Sequence, residues 1–275
     1  MNSLKIKKSI EINLDSRSLY LRRQVIESVI SAGRGHIGGA FSCMEILRTL
    51  YDDVMHYDSS NPSLIDRDRL ILSKGHSCLA LYTILADKGF FSKDELKNCF
   101  KEGSMLGGHP ERGKVPGIEA STGSLGHGLS IGIGMALASK ILKKENKVFV
   151  ILGDGEINEG SVWEAAMAAS KHNLNNLFAL IDYNKVQSAG SVQSILDMEP
   201  MADKWRSFGF EVIEINGHNL QEIKTALTES KEMLKPKALI CHTVKGKGLD
   251  EAEGNAEWHY KRIDKELGKD LISKL

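Results

Sequence analysis

The chain has 275 residues, and its 36 Lys and Arg are balanced by 36 Asp and Glu. A net charge of zero gives no electrostatic reason to expect nucleic acid or an anionic membrane as a partner. The length is ample for a real core, and no apolar run approaches the roughly 20 residues a membrane helix needs. Cys43, Cys78, Cys99 and Cys241 form no Cys-x-x-Cys pair, so reduced thiols in a cytoplasmic protein are the expected state. Charges interrupt the first apolar stretches, which do not read as a signal peptide.

Residues 1–13 read as a loosely ordered lead-in. Asp15 or Ser16 is placed to cap a helix over 16–32, with Leu21, Val25, Val29 and Ile30 on one face. Gly33-Arg34-Gly35-His36-Ile37-Gly38-Gly39 is too glycine-rich for a helix and reads as a functional loop. A second helix is expected over 42–57. A short buried strand at 69–73 leads through Lys74-Gly75-His76 into a helix ending at Asp87, and a short surface helix follows at 92–100. Residues 103–123 form a long irregular stretch holding Gly107-Gly108-His109-Pro110, and long loops inside compact folds are usually functional. A long helix is expected over 124–144, its glycines implying close backbone packing. Then come strand 147–152, helix 158–172, strand 177–183, a polar loop over 185–199, helix 201–208, strand 210–215, helix 219–233 and strand 237–243. A glycine-rich loop and a terminal helix close the chain. This alternation predicts one α/β domain over 1–275, with a mainly parallel sheet flanked by helices.

Two of these strands carry the strongest chemical signal. The apolar run 148–152 ends in Gly153-Asp154-Gly155, and the run 177–181 ends in Asp182-Tyr183-Asn184. Parallel strands joined by a right-handed crossover bring Asp154 and Asn184 to one edge of the sheet, where ligands of open α/β sheets bind. An acidic oxygen, an amide oxygen and glycine-freed backbone suit a hard Mg²⁺ that also holds a diphosphate. A lone Gly-Asp-Gly would be only a strand-to-helix turn; the second strand and its terminal Asn add the specificity. Five histidines, His36, His76, His109, His127 and His259, sit in glycine-containing loops. Several together point to a polar pocket that needs hydrogen-bonding groups near neutral pH.

The segments SAGRGHIGG, LSKGH, GGHPE, STGSLGHG, GDGEINEGSVWEA, DYNKVQ, HTVKGKG and EWH occur in the order found in transketolases. From about residue 15 to 262 the chain resembles the diphosphate-binding, N-terminal domain of that family. The resemblance implies the thiamine diphosphate-binding fold and thiamine diphosphate with Mg²⁺ as cofactors, Ca²⁺ or Mn²⁺ being possible substitutes. Asp154, Asn184 and the Val186 carbonyl correspond to metal ligands, and Gly155 to an amide offered to the diphosphate. Gly123, Ser124 and Leu125 match the stretch lining the cofactor. His76, Lys245 and His259 match contacts to the diphosphate end or the reacting carbon, although Lys245 equally reads as a solvated loop lysine. His36 and His109 match residues that bind sugar hydroxyls, while His127 reads as structural.

Ile37 stands where proline is frequent in the family, and Gln187-Ser188-Ala189-Gly190 lacks an Ile-Asp pair of many microbial members. The larger departure is that 275 residues are less than half of a full transketolase. The resemblance therefore implies half an active site, with the aminopyrimidine-binding domain, its glutamate and its phosphate-binding arginines on a separate C-terminal subunit. Self-association is expected, in an assembly holding two copies of each subunit, with Glu159 and Glu164 near the interface. The reaction implied is transfer of a two-carbon ketol unit from a ketose or its phosphate to an aldose. Rival readings are a deoxyxylulose phosphate synthase-like or 2-oxoacid dehydrogenase α-like subunit, or a noncatalytic cofactor-binding partner.

Overall fold

A computed structural model describes residues 12–229 and 234–275. Strands β2 (Arg69–Leu72), β3 (Val148–Gly153), β4 (Leu177–Tyr183), β5 (Glu211–Asn216) and β6 (Lys237–His242) form one sheet in the order β2-β3-β4-β6-β5. Every pairing is parallel. The central strands β3 and β4 are buried along almost their whole length, as continuous apolar runs covered on both faces must be. Alternate side chains point to opposite faces. Phe149, Ile151, Phe178, Leu180 and Leu239 enter one core, and Val148, Val150, Leu152, Ala179, Ile181 and Ile240 enter the other.

The first core packs against helices α1 (Ser16–Ala32), α2 (Ile37–Ser42), α3 (Met44–Thr49) and α4 (Cys78–Asp87). The second lies under α5 (Gly128–Ile141), α6 (Gly160–Lys171) and α8 (Met201–Ser207), with the short α7 (Val192–Ile195) inside the expected polar loop. Helices α9 (Leu220–Thr228) and α10 (Lys265–Lys274) complete the first layer. The α/β architecture with a parallel sheet between helical layers is the one expected. Among the described residues, no helix is long and apolar enough to cross a membrane.

Three expected elements differ. The glycine-rich 33–39 segment contains the start of a helix: α2 begins at Ile37 and includes Gly38 and Gly39. A Cβ on Gly38 would lie 2.8 Å from the Trp258 carbonyl oxygen and one on Gly39 2.7 Å from Ser77 Oγ, so close packing overrides poor propensity. The helix expected over 42–57 breaks into α3 and a single wide turn over Leu50–Val54. The long helix starts at Gly128 rather than 124, because Gly126 takes a positive φ of 83° and packs on Glu159. Part of the expected lead-in (1–11) and the end of the helix expected over 219–233 (230–233) lie outside the described residues.

A buried polar knot fixes the loop after β6. Arg22, at zero exposure, donates to both Glu45 carboxylate oxygens (2.6 and 2.9 Å), to the Phe41 carbonyl and to the Lys247 carbonyl (2.7 Å). His218 Nε2 accepts the Val244 N–H at 2.9 Å, so its proton falls on Nδ1, which faces Glu45 at 2.7 Å. Burial opposes ionisation of Glu45, but the Arg22 guanidinium outweighs it and holds the carboxyl well below its usual range. The knot thus ties α1, α3 and the loop that carries Lys245 into one unit.

Candidate active site

Parallel register places the ends of β2, β3, β4 and β6 at one edge, with Gly153 opposite Asp182 and Asp182 opposite Cys241. The centre of that edge is Asp182, with no exposed surface. Its carboxylate accepts from Lys74 Nζ (2.6 Å), Ser42 Oγ (2.5 Å), Asn184 Nδ2 (3.1 Å) and the Thr243 hydroxyl. Lys74 Nζ also donates to the Gly39 carbonyl at 2.9 Å. Burial disfavours both charges, but their mutual attraction wins: the Asp182 carboxyl is lowered and the Lys74 ammonium raised. A polar network satisfied on every side is rigid, and this one holds Asn184 in place.

Asp154, 3 % exposed, projects from the turn after β3. Its Oδ1 accepts the Gly155 N–H at 2.8 Å and its Oδ2 the Lys185 N–H at 2.5 Å. Burial, and then the neighbouring Asp182 charge, push its carboxyl up to about 6. The turn is braced by Glu156, which accepts the N–H groups of Gly126 and Gly153 (both 3.0 Å) and the Ser73 hydroxyl. Asn184 Oδ1 accepts the Val186 N–H at 3.1 Å. The Val186 carbonyl accepts Lys245 Nζ at 2.9 Å.

Lys245 is buried, not a solvated loop lysine. Burial, reinforced by Lys74 and partly offset by Asp154, lowers its ammonium to about 8. Besides Val186 it donates to the Gln187 carbonyl (3.1 Å) and to His259 Nδ1 (3.1 Å). An ammonium only donates, so Nδ1 of His259 accepts and its ring proton lies on Nε2.

The rings of His36, His76 and His259 form a triangle with centroids 5.1–5.3 Å apart. A two-residue antiparallel ribbon, β1 (Arg34–Gly35) with β7 (Lys261–Arg262), draws His36 against Tyr260 at 4.7 Å. His109 lies over Gly123, where a Cβ would sit 3.0 Å from its ring. Burial first, then neighbouring cations and imidazoles, lower His36 and His259 to about 4 and His76 further still. All three rings are therefore neutral at pH 7, and offer hydrogen bonds without charge.

Between these groups lies a cleft of about 150 Å³, lined by Asp154, Gly155, Asn184, Val186, Leu125, Lys74, His76, Lys245 and His259 among others. Asp154, Asn184 and the Val186 carbonyl each retain a free lone pair, and an all-oxygen set suits a hard divalent cation. The set holds one carboxylate, consistent with there being no cluster of three His, Cys, Asp or Glu at metal spacing among the described residues. Gln187 packs over Gly155, and its Nε2 is buried without a partner. An orphaned donor in a cleft that also holds the Lys245 ammonium fits an anionic ligand such as a diphosphate.

The structure thus brings together His36, His76, His259, Asp154, Gly155, Asn184, Val186 and Lys245. Leu125 lines the cleft, Gly123 supports His109, and Ser124 is exposed outside the lining. His127 is exposed at the start of α5. Sequence reasoning missed Asp182, Lys74, Glu156 and Gln187. The signal for the first two was a charge directly following, or ending, a buried apolar strand.

Residues 16–273 match the thiamine diphosphate-binding domain of transketolases, and the chain belongs to that family of transferases. It is 44 % identical to a subunit of the apulose-4-phosphate transketolase of Phocaeicola vulgatus, over 90 % of this chain and 88 % of that protein. It is 41 % identical to a 6-deoxy-6-sulfo-D-fructose transketolase subunit of a Clostridium species, over 96 % of this chain and 97 % of that one. The crystal structure of Campylobacter jejuni transketolase superposes with a TM-score of 0.86 at 31 % identity, covering 94 % of this chain. The chain spans only 43 % of that transketolase, whereas it spans nearly all of each subunit relative.

Proposed function

We propose that this chain is the diphosphate-binding subunit of a two-subunit transketolase, which moves a two-carbon ketol unit from a ketose to an aldose. The observation that carries the reading is the adjacency, at one sheet edge, of an all-oxygen set of acceptors and a triangle of neutral imidazoles. Asp154, Asn184 and the Val186 carbonyl would hold Mg²⁺, and the diphosphate would meet that ion, Lys245 and Gln187 Nε2. When bound, thiamine diphosphate supplies the electron sink for breaking a carbon–carbon bond. His36, His76, His109 and His259 orient the sugar hydroxyls and hold protons at the reacting oxygens, and the lowered His36, His76 and His259 rings do so without charge.

A second polypeptide with the aminopyrimidine-binding half completes the site in this reading. The expected assembly holds two copies of each polypeptide. Glu159, Glu164 and Met167 are exposed on and before α6, and Ile131 and Ile141 on the neighbouring α5; the exposed Met167, Ile131 and Ile141 support association. The cytoplasmic location expected from the sequence belongs to the same proposal, supported by four free, buried thiols. The named relatives act on sugars carrying a phosphate or a sulfonate, which favours an anionic ketose or aldose here too. Mixing the chain with its partner subunit, thiamine diphosphate and Mg²⁺ should give ketol transfer that neither polypeptide gives alone. Transfer by the isolated chain, free of any second polypeptide by mass spectrometry, would overturn the two-subunit reading.

A further inference from the structure

Lys185 stands between Asn184 and Val186, two of the three oxygen donors of the cleft, and takes a φ of 68°. A residue with a Cβ rarely adopts that left-handed backbone, and where one does its surroundings must hold it there. The Lys185 N–H donates to Asp154 Oδ2 at 2.5 Å, and its carbonyl accepts the Val192 N–H at 2.9 Å. The second bond closes a hairpin over 186–191, which a Val186–Ser191 bridge and a bond from the Gln187 N–H to the Gly190 carbonyl (2.8 Å) complete. The turn at Lys185 therefore sets both the orientation of Asp154 and the place of the Val186 carbonyl.

The side chain folds back over the end of the sheet. Its Nζ donates to the Tyr183 carbonyl at 2.7 Å, faces His242 Nδ1 at 3.1 Å and lies 3.9 Å from the centre of the Tyr183 ring. An ammonium only donates, so His242 Nδ1 accepts, and the ring proton falls on Nε2, which donates to Glu214 at 3.0 Å. Tyr183 is fixed in turn by its hydroxyl, which donates to Glu199 at 2.6 Å. Tyr183 ends β4, His242 pairs with it from β6, and Glu214 lies on β5. One ammonium is thus tied to three neighbouring strands.

We propose that Lys185 is a positioning residue for the divalent cation: its tethered ammonium locks the left-handed turn that orients Asp154 and presents the Val186 carbonyl to the cleft. This role rests on the cation-site reading above. Lys185 touches neither the ion nor a substrate and acts only through the groups that do. Charge alone would make a lysine here repel a cation, so that removing it tightens binding. A tether predicts the opposite sign, since groups that orient metal ligands typically raise affinity by about 10–100-fold.

The test reads Mn²⁺ binding by electron paramagnetic resonance, in the complex with the partner subunit and thiamine diphosphate. Lys185→Met keeps the length of the side chain without its ammonium and should weaken Mn²⁺ binding about tenfold. Lys185→Arg keeps a donating cation and should stay within about threefold of the wild type. Lys185→Gly enters the left-handed region without steric cost but has no tether, and should fall between the two. Metal-free melting temperatures of the same variants separate this order from a general loss of stability, which would move all metal affinities together. Unchanged or tighter Mn²⁺ binding in Lys185→Met, or an equal loss in all three variants, overturns the proposal. Asp154→Asn probes the site itself. If it binds Mn²⁺ as the wild type does, the cation-site reading fails and the role of Lys185 with it. If Asp154→Asn loses the ion while Lys185→Met keeps it, the cation site stands and only the role of Lys185 falls.

Discussion

Replacing Arg22 by Met tests the knot that holds the loop after β6. The substitution removes hydrogen bonds to Glu45, Phe41 and Lys247 and leaves the Glu45 carboxylate, 1 % exposed, with His218 as its remaining described side-chain partner. Stranding one member of a buried ion pair costs about 3–5 kcal/mol. At ~2–4 °C per kcal/mol for a chain of this size, the melting temperature should fall by roughly 6–20 °C. The pH dependence gives a sharper check. In the wild type the folded Glu45 carboxyl is depressed, so its contribution is present above the unfolded carboxylate value and is lost as pH falls through the folded one. In Arg22→Met, burial prevails and raises that carboxyl, so the variant loses stability as pH rises through the raised value. The gap between the two proteins should therefore narrow from pH 7 to pH 4.5. Adding Glu45→Gln, which removes the stranded charge and keeps an acceptor for His218, should restore part of the loss. Thermal melts and urea denaturation, both followed by tryptophan fluorescence, measure these changes. A gap under about 1 kcal/mol, or one that does not change with pH, would refute the reasoning.

Asp154→Asn should weaken Mg²⁺-dependent thiamine diphosphate binding by roughly a hundredfold, the ~3 kcal/mol of a lost charged contact; calorimetry with unchanged affinity contradicts the metal assignment. In the unmodified chain, EDTA should abolish any rise in melting temperature on adding thiamine diphosphate, and a rise that survives chelation argues against a divalent cation. His36→Ala and His109→Ala should keep cofactor affinity but slow ketol transfer by the assembled enzyme about 10²–10³-fold, as steady-state rates would report. Gly38→Ala should destabilise by ~1–3 kcal/mol, because its Cβ meets the Trp258 backbone rather than a movable side chain; a melting temperature equal to the parent's means that the backbone there yields without cost.

The strands are legible where burial leaves no choice of pattern. The 148–152 and 177–183 runs are apolar almost throughout because both faces are covered, and pattern and structure agree on their bounds nearly to the residue. Legibility fails where tertiary contact decides against local preference. Nothing local announces that Gly38 and Gly39 sit inside a helix; the reason lies with Trp258 and Ser77, far along the chain or across the site. The start of α5 departs from the pattern for a similar cause, since residues 126–128 are tied by Glu156 and Ser73. Within the site, the sequence marks groups that face a ligand and passes over those that hold them. Asp154 and Asn184 stand in a recognisable pattern, while Asp182 and Lys74 take their meaning from each other, across a separation no short motif records.

The ribbon joining Arg34–Gly35 to Lys261–Arg262 closes residues 34–262 into one loop. Contacts of such long sequence separation carry a high loop-closure cost and form late, after the local helices and neighbouring strand pairs. His259 reaches His36 and His76 only once that closure is made. During synthesis, the ring triangle therefore cannot assemble until residue 259 has left the ribosome, whereas Asp154 and Asn184 directly follow strands made much earlier. The oxygen set of Asp154, Asn184 and Val186 therefore precedes the ring triangle in synthesis, and Lys245, which donates to both the Val186 carbonyl and His259, joins the two.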